Sequence, residues 1–448
     1  MDSEKEKKRL AKLRRLERDH QWDKARRLMR KVVKAAPDNP HHAIHYARLL
    51  TKCGDWKQAR KFVRKAVKAD PDLGEEAWVR RFSIAVERIA NPDKKRLALL
   101  STQAGRKIEA EEIKARIIQK GVNNSGGLIA WRIENEPGKN PQAGFIEKIF
   151  LETRHRKSPT PRSREVLFAC HARLAKGAET LRLPRFLASD GDESWTSLMW
   201  EDLSLDGAFQ KSYAKLPGIE GVGARIGKAA AEFNALVAMD DLDNKARRKL
   251  NRQPDWSLPS RERARLWMRQ LMAASGSDAM AARLLDAVTP LLNWLSREEN
   301  RATPQPREVV VHGDLVPNNL FLTPDAKIIP IDFEFVRFGP IGLDPARLAA
   351  NAMVKIIEKH NDRRSDRWDR TRGMLNELVD AYVQRFTALR PELIEADALR
   401  ERIDFLFRLR TTHELCRRGG SRVFQRPHQA PMLPYLLGRG FLLESPKP

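Results

Sequence analysis

Val309-Val310-Val311-His312-Gly313-Asp314-Leu315-Val316-Pro317-Asn318-Asn319-Leu320-Phe321-Leu322 is the stretch from which the rest of the chain is read, with Ile328-Ile329-Pro330-Ile331-Asp332-Phe333-Glu334 just beyond it. Each is a short apolar run of the kind that forms a buried strand, with acidic or amide side chains at or just past its end. Carboxylates on a loop beside buried strands suit a general base or a hard metal ion. Asp314 and Asn319 stand five residues apart on one loop, and Asp332 leaves the neighbouring strand of what reads as a hairpin, so all three can converge. His312 reads as a hydrogen-bonding tie within that loop, Asp314 being the better-placed base.

Upstream, short strands alternate with turns. Residues 115–120, 128–133 and 144–150 read as three strands, separated by a glycine- and asparagine-rich turn at 121–127 and a loop at 136–141. A helix follows over about 162–174, and two more strands, 185–188 and 196–200, flank an Asp190-Gly191 turn. Trp131 reads as strand core. Residues 204–300 and 343–448 are mostly helical in pattern, with short strands returning at 307–335.

The two apolar stretches, H-G-D-x-x-x-x-N and I-D-F-E, resemble the aminoglycoside phosphotransferase and choline kinase family. The resemblance covers roughly residues 110–440 and implies an α+β, two-lobed protein-kinase-like fold: a small antiparallel-sheet lobe and a large, mostly helical lobe. It further implies an ATP- and Mg2+-dependent phosphotransferase acting on a hydroxyl of a small molecule. Asp314 would accept the hydroxyl proton, and Asn319 and Asp332 would hold magnesium against the nucleotide phosphates. Lys148, on the third strand, is the expected partner of the α- and β-phosphates, with Glu165, 17 residues on, to orient it. Leu198-Met199-Trp200-Glu201-Asp202-Leu203 resembles the hinge, so Met199 and Glu201 would meet the adenine edge through backbone groups. No G-x-G-x-x-G is present, and Asn123-Asn124-Ser125-Gly126-Gly127 stands in its place, with Ser125 and Gly126 the phosphate-covering candidates. Asp344, in Gly342-Leu343-Asp344-Pro345-Ala346-Arg347, reads as structural.

Three features point to a small acceptor. Gly313 stands where regulated protein kinases carry Arg, only 12 residues separate Asp332 from Asp344, and Glu334 replaces the glycine that follows Asp-Phe. A sugar, amino-sugar, choline-like alcohol, or polysaccharide or lipid precursor all fit. Arg408, Arg410, Arg417, Arg418 and Arg422 form either a binding site for an anionic substrate group or a solvated basic face.

The first hundred residues repeat. Shifted by 34 positions, Trp22 falls on Trp56, Ala25 on Ala59 and Pro37 on Pro71, with helical apolar spacing between. The period resembles the tetratricopeptide repeat, although the first copy lacks the turn glycine that Gly54 supplies to the second. We therefore expect an all-α repeat module over 1–108, a small lobe and hinge over 109–203, and a large lobe with the catalytic and metal loops over 204–448. The module is either a structural cap or a peptide-binding groove. Within it, His41 and His45 have a metal-compatible i,i+4 spacing but read better as surface residues.

Charge bears on partners. Lys+Arg number 84 against 59 Asp+Glu, a net +25, and residues 1–100 hold 28 against 14, a net +14. An acidic protein or peptide at the repeats would match that excess. With aromatics at 7% and no basic stripe interleaved with them, nucleic acid is not favoured. Cys53, Cys170 and Cys416 are odd in number and far apart, which suggests neither a disulfide framework nor a cysteine zinc site. The polar start and the lack of a long apolar run lead us to expect a cytoplasmic protein without a membrane span. A second reading stays open: a repeat-containing scaffold whose kinase-like part senses nucleotide with little or no activity.

Overall fold

In the computed structural model, the described residues are 3–118, 128–133, 143–151, 177–191, 195–210, 215–236, 308–359 and 366–417, with six isolated helical positions between 266 and 289. They form two compact units, one of residues 1–155 and 185–205, the other of 156–184 and 206–448.

The first unit opens with helices α1 (Ser3–Arg18), α2 (Trp22–Ala35), α3 (Pro40–Lys52), α4 (Trp56–Ala69), α5 (Pro71–Glu75), α6 (Ala77–Ala90) and α7 (Lys94–Ala104). Their boundaries follow from capping. Asn39, Asp55, Asp70 and Asp93 each accept a backbone N–H from three residues on, satisfying donors that a helix start leaves open. The 34-residue period is visible in the backbone. Gly54 turns with φ +77°, and His20, one period earlier, takes the same left-handed conformation with φ +55°, its ring packed on Trp22 at 5.4 Å. A left-handed histidine is tolerated but strained, so the first copy makes its turn without glycine. Ala25 and Ala59 are both fully buried, the small side chain that lets paired helices close up. His45 is half-buried, with its Nε2 2.6 Å from Glu17 Oε1.

The same unit holds a five-stranded antiparallel sheet in the order β1-β2-β3-β5-β4, made of β1 (Ile113–Ile117), β2 (Leu128–Ile133), β3 (Gly144–Leu151), β4 (Phe186–Gly191) and β5 (Trp195–Glu201). The first strand begins two residues before its sequence-read start, because Ile113 continues the face shared by Ala115 and Ile117. Register places Ile117, Ile129 and Glu147 in line with Met199, and Ala115, Trp131 and Phe145 beside them. This face packs on Ala85 and Ile89 of α6 and Leu100 of α7, with Trp131 and Phe145 stacked at 5.9 Å. The C-terminal part of α6, α7 and the sheet thus share one hydrophobic core, which includes Ile108, while α1–α5 and the rest of α6 form another.

The second unit contains α8 (Val222–Leu236), a β6 (Glu308–Val311)–β9 (Arg337–Pro340) pair, a β7 (Leu320–Leu322)–β8 (Ile328–Pro330) hairpin, and α9 (Leu343–Lys359), α10 (Asp366–Leu389) and α11 (Ala396–Arg417). Leu181 bridges the hairpin along Ile328, and Phe209 along Leu322. Glu232 of α8, fully buried, fixes the approach to it: its carboxylate accepts the N–H groups of Glu179, Thr180 and Leu181 and the Arg385 guanidinium at 2.7–3.1 Å. No described helix is long and apolar enough to cross a membrane.

Helices α8 and α10 touch backbone to backbone. A Cβ on Gly227 would stand 2.2 Å from the Leu378 carbonyl oxygen. Gly227→Ala is therefore expected to destabilise the protein by about 1–3 kcal/mol through overpacking. Gly218→Ala, where a Cβ meets nothing within 4 Å, should leave stability unchanged; urea unfolding of the two variants checks the contrast.

Candidate active site

The loop after β6 is held from behind by one carboxylate. Asp344, in the first turn of α9 and fully buried, accepts the N–H of His312 at 2.8 Å, the N–H of Gly313 at 3.0 Å and the Asn234 amide at 2.9 Å. Asn234 in turn accepts the Tyr382 hydroxyl at 2.8 Å, and that hydroxyl accepts the Gly342 N–H. Asp344 is thus an anchor, as its sequence context suggested. Gly313 turns with φ +74°, and a Cβ there would lie 2.4 Å from the Phe335 carbonyl oxygen. Local geometry alone therefore requires glycine at 313.

His312 is fully buried against Phe233 and Phe333. Its Nδ1 accepts the Asp314 N–H at 3.3 Å, which puts the ring proton on Nε2, 2.9 Å from the Ile331 carbonyl oxygen. The histidine ties the β6 loop to the end of β8 and is turned away from solvent.

Asp314 and Asn319 come together. The Asn319 amide N–H2 donates to the Asp314 carbonyl oxygen at 3.0 Å and to its Oδ2 at 3.2 Å. Asp332 directly follows Ile331, whose N–H donates to the Asn319 carbonyl oxygen at 2.9 Å. Asp332 itself has φ +69°, an aspartate held in the left-handed region at the start of a tight turn, the kind of strain that gathers at functional positions. With its N–H2 on Asp314, Asn319 has its amide oxygen left for a cation, and the Asp332 carboxylate is a second hard donor. Two such oxygens suit magnesium, which takes few protein ligands and completes its shell with phosphate and water. Among the described residues no group of three or more His, Cys, Asp or Glu forms an all-protein metal site.

The sequence missed Arg347. Its guanidinium pairs with Asp314 Oδ1, and its Nε is buried with no hydrogen-bond partner. The signal was present: Arg347 lies three residues after Asp344 in the first turn of α9, so the two share a helix face. The arginines of α11 also resolve in part. Arg408 is 6% exposed and Arg410 1%, which excludes a solvated face for these two; Arg418 and Arg422 lie outside the described residues.

In the first unit Lys148 projects from the sheet face opposite the helices, between Leu128 and Leu198 on the neighbouring strands, with its Nζ 5.0 Å from the Phe150 ring centroid. The neighbouring Glu147 points the other way, so it is not the ion-pair partner of Lys148. Met199 is fully buried with its side chain in the helix-facing core, which leaves only its backbone for a ligand. Glu201 and Arg185 bond reciprocally, Glu201 Oε1 accepting the Arg185 N–H at 2.8 Å. Beyond it, Asp202 gathers Arg132 and Ser204 at 2.6–2.7 Å and fixes the end of β5. Glu165, Ser125 and Gly126 lie outside the described residues.

Residues 155–399, more than half of the chain, match the phosphotransferase enzyme family, and the chain belongs to that family. Residues 16–79 match the tetratricopeptide repeat. A methylthioribose kinase of Bacillus velezensis is 33% identical over 76 residues, a match spanning 17% of this chain and 19% of that protein. Among solved structures, an aminoglycoside phosphotransferase from Alicyclobacillus acidocaldarius is similar with a TM-score of 0.44 at 17% identity, covering 73% of this chain and 90% of that one. An ethanolamine kinase of Plasmodium vivax is similar with a TM-score of 0.44 at 13% identity, covering 85% and 94%.

Removing the anchor should disorganise the loop. Asp344→Ala leaves the His312 and Gly313 N–H groups buried without acceptors, at a cost on the order of 3 kcal/mol. Denaturant unfolding is expected to register that loss, and Asn234→Ala a comparable one, because it strips the Val310 carbonyl and Asp344 of a donor and the Tyr382 hydroxyl of its acceptor.

Proposed function

We propose that the chain is an ATP- and Mg2+-dependent phosphotransferase that moves the γ-phosphoryl group to a hydroxyl of a small molecule. The arrangement of Asp314 carries this reading: one carboxylate oxygen meets Arg347 and the other Asn319, on a loop immobilised by Asp344. A carboxylate accepts more than one hydrogen bond per oxygen, so Asp314 keeps capacity for an incoming hydroxyl. The acceptor oxygen bonds to phosphorus, ADP leaves, and the hydroxyl proton passes to Asp314. Asn319 and Asp332 would hold the magnesium ion, which when bound neutralises phosphate charge and aligns the transferring group. Lys148 would meet the α- and β-phosphates, and the backbone of 198–203 the adenine edge.

Arg347 adds a charge effect to this scheme. Before transfer its guanidinium is compensated by Asp314. Once Asp314 takes the proton, a net positive charge appears beside the reacting atoms, where negative charge is moving, and such preorganised charge lowers a barrier effectively. The same cation favours an acceptor that carries an anionic group over a cationic one.

The test is labelled-ATP transfer across paired acceptors. Asp314→Asn and Asp332→Asn should each lower turnover by 10³-fold or more with melting temperature nearly unchanged, since Asn keeps the shape and tolerates the left-handed backbone at 332. Full transfer by Asp314→Asn would overturn Asp314 as the base, whereas a wild-type protein that binds nucleotide but transfers phosphate to no acceptor would support the nucleotide-sensing scaffold. Sugar phosphates or sugar acids should exceed choline, ethanolamine and amino-sugars in kcat/KM by at least tenfold, and Arg347→Gln should erase that preference.

A further inference from the structure

Glu147 sits where a carboxylate has no ordinary reason to be. It lies in the middle of the apolar face of the sheet, opposite Ile129 on one side and Met199 on the other, and is fully buried. An ionised group there is costly unless paired and hydrogen-bonded. The partner comes from α7, the helix that follows the repeats. Arg96 of α7, also fully buried, forks its Nε and Nη2 onto the two oxygens of Glu147, the Nε at 3.0 Å from Oε2. Trp131 of β2 donates its indole N–H to the same Oε2 at 2.8 Å, and the guanidinium lies 5.8 Å from that indole ring.

The network reaches further along the sheet. Arg96 also contacts Asp190 of β4 at 3.2 Å and Asp93 at the start of its own helix, while Arg88 of α6 meets Asp190 at 2.8 Å and Asp93 at 2.6 Å. Burial alone would raise the Asp190 carboxyl, but Arg88 and Arg96 hold it below the usual carboxylate range. Two helices thus grip β3 through a buried ion pair, β4 through half-buried ones and β2 through the Trp131 indole. The residue next to Glu147 on β3 is Lys148. Successive strand residues point to opposite faces, so a restraint on the roll and register of β3 at Glu147 is at once a restraint on where Lys148 points.

We propose that Arg96 and Glu147 are positioning residues for Lys148, so that α7, the helix between the repeats and the sheet, takes part in nucleotide binding by clamping the back of the strand that presents it. This rests on the phosphotransferase reading, in which Lys148 meets nucleotide phosphate. Helices α6 and α7 are then the outer layer of the nucleotide-binding sheet, and any ligand that shifts α7 reaches the phosphate contact through a single buried side-chain pair.

The experiment is a double-mutant cycle on the full-length protein, read as affinity for magnesium-bound AMP-PNP by calorimetry. Arg96→Met with Glu147→Gln removes the ion pair without leaving an unpaired buried charge and keeps an acceptor for the Trp131 indole. We expect it to weaken nucleotide binding tenfold or more at a temperature where circular dichroism reports a folded protein. In a Lys148→Ala background the same pair of changes should weaken binding no further. A lowered melting temperature with unchanged affinity overturns the proposal, as does an equal loss with and without Lys148, since both are what a purely structural role gives. Should the double variant fail to fold, Arg96→Lys, which keeps the charge but loses the fork, is carried through the same cycle and judged by the same two outcomes. Failure of the wild-type protein to bind the nucleotide overturns the phosphotransferase reading and this inference with it, a result distinct from normal binding that ignores Arg96.

Discussion

The geometry of the second unit hangs on the Asp344 carboxylate. It is buried, it sits in the first turn of α9 where a helix favours negative charge, and it receives two consecutive backbone N–H groups from the loop after β6. Those N–H groups have no strand to pair with, because the left-handed turn at Gly313 ends the β6 ladder. The carboxylate replaces the ladder at the point where the backbone must leave it to present Asp314. Behind it, Asn234 from α8 and Tyr382 from α10 extend the network, so three helices converge on one loop. Burial, with Asp344 nearby, pushes the Tyr382 hydroxyl far above its ordinary value. It therefore stays a protonated donor to Asn234 at any pH the fold meets.

The same device appears three times. Asp344 fixes the β6 loop, Glu232 fixes the segment that lies along β8, and Glu147 fixes β3 against α7. Each carboxylate is fully buried, each takes three or more hydrogen-bond donors, and each joins elements far apart in sequence. A buried charge adds little net stability against an apolar replacement, but an imperfectly seated one is severely penalised, so it discriminates strongly between registers. Apolar packing alone tolerates small slides of one element over another. Placing these carboxylates beside the strands that bear Lys148 and the candidate metal and base residues restricts such slides where a fraction of an ångström matters.

This division explains what was legible in the sequence. Asp314, Asn319 and Asp332 announce themselves because polar groups at the ends of apolar runs stand out against a local pattern. The repeat is legible because Trp22 and Trp56, or Ala25 and Ala59, recur at a fixed interval. Arg347 and Asp314 are 33 residues apart, Tyr382 and Asn234 are 148, and Arg385 and Glu232 are 153. No local periodicity reports such pairs, and a glutamate on a helix or an arginine near a glycine looks the same whether it faces water or a buried partner. His20 was hidden for a different reason: it performs the turn of Gly54 by accepting strain, so the usual glycine marker is missing.

The charge of the first hundred residues also changes meaning. Its net +14 suggested an acidic partner at the repeats, yet several of its cations have internal occupations. Arg88 and Arg96 hold Asp93, Asp190 and Glu147, and Arg60 and Arg64 pair with Glu87. Arg48 and Lys52 lie over the faces of Trp78 and Trp22 at 5.9 and 5.8 Å. Arg96 is instructive because two of its acceptors, Glu147 and Asp190, lie beyond the first hundred residues, so a count by segment separates a cation from the anions it neutralises. A segment's net charge describes its surface only when its ion pairs close within it. Here they cross into the sheet, and part of the apparent excess is the cationic half of a clamp whose anionic half is written on β3 and β4.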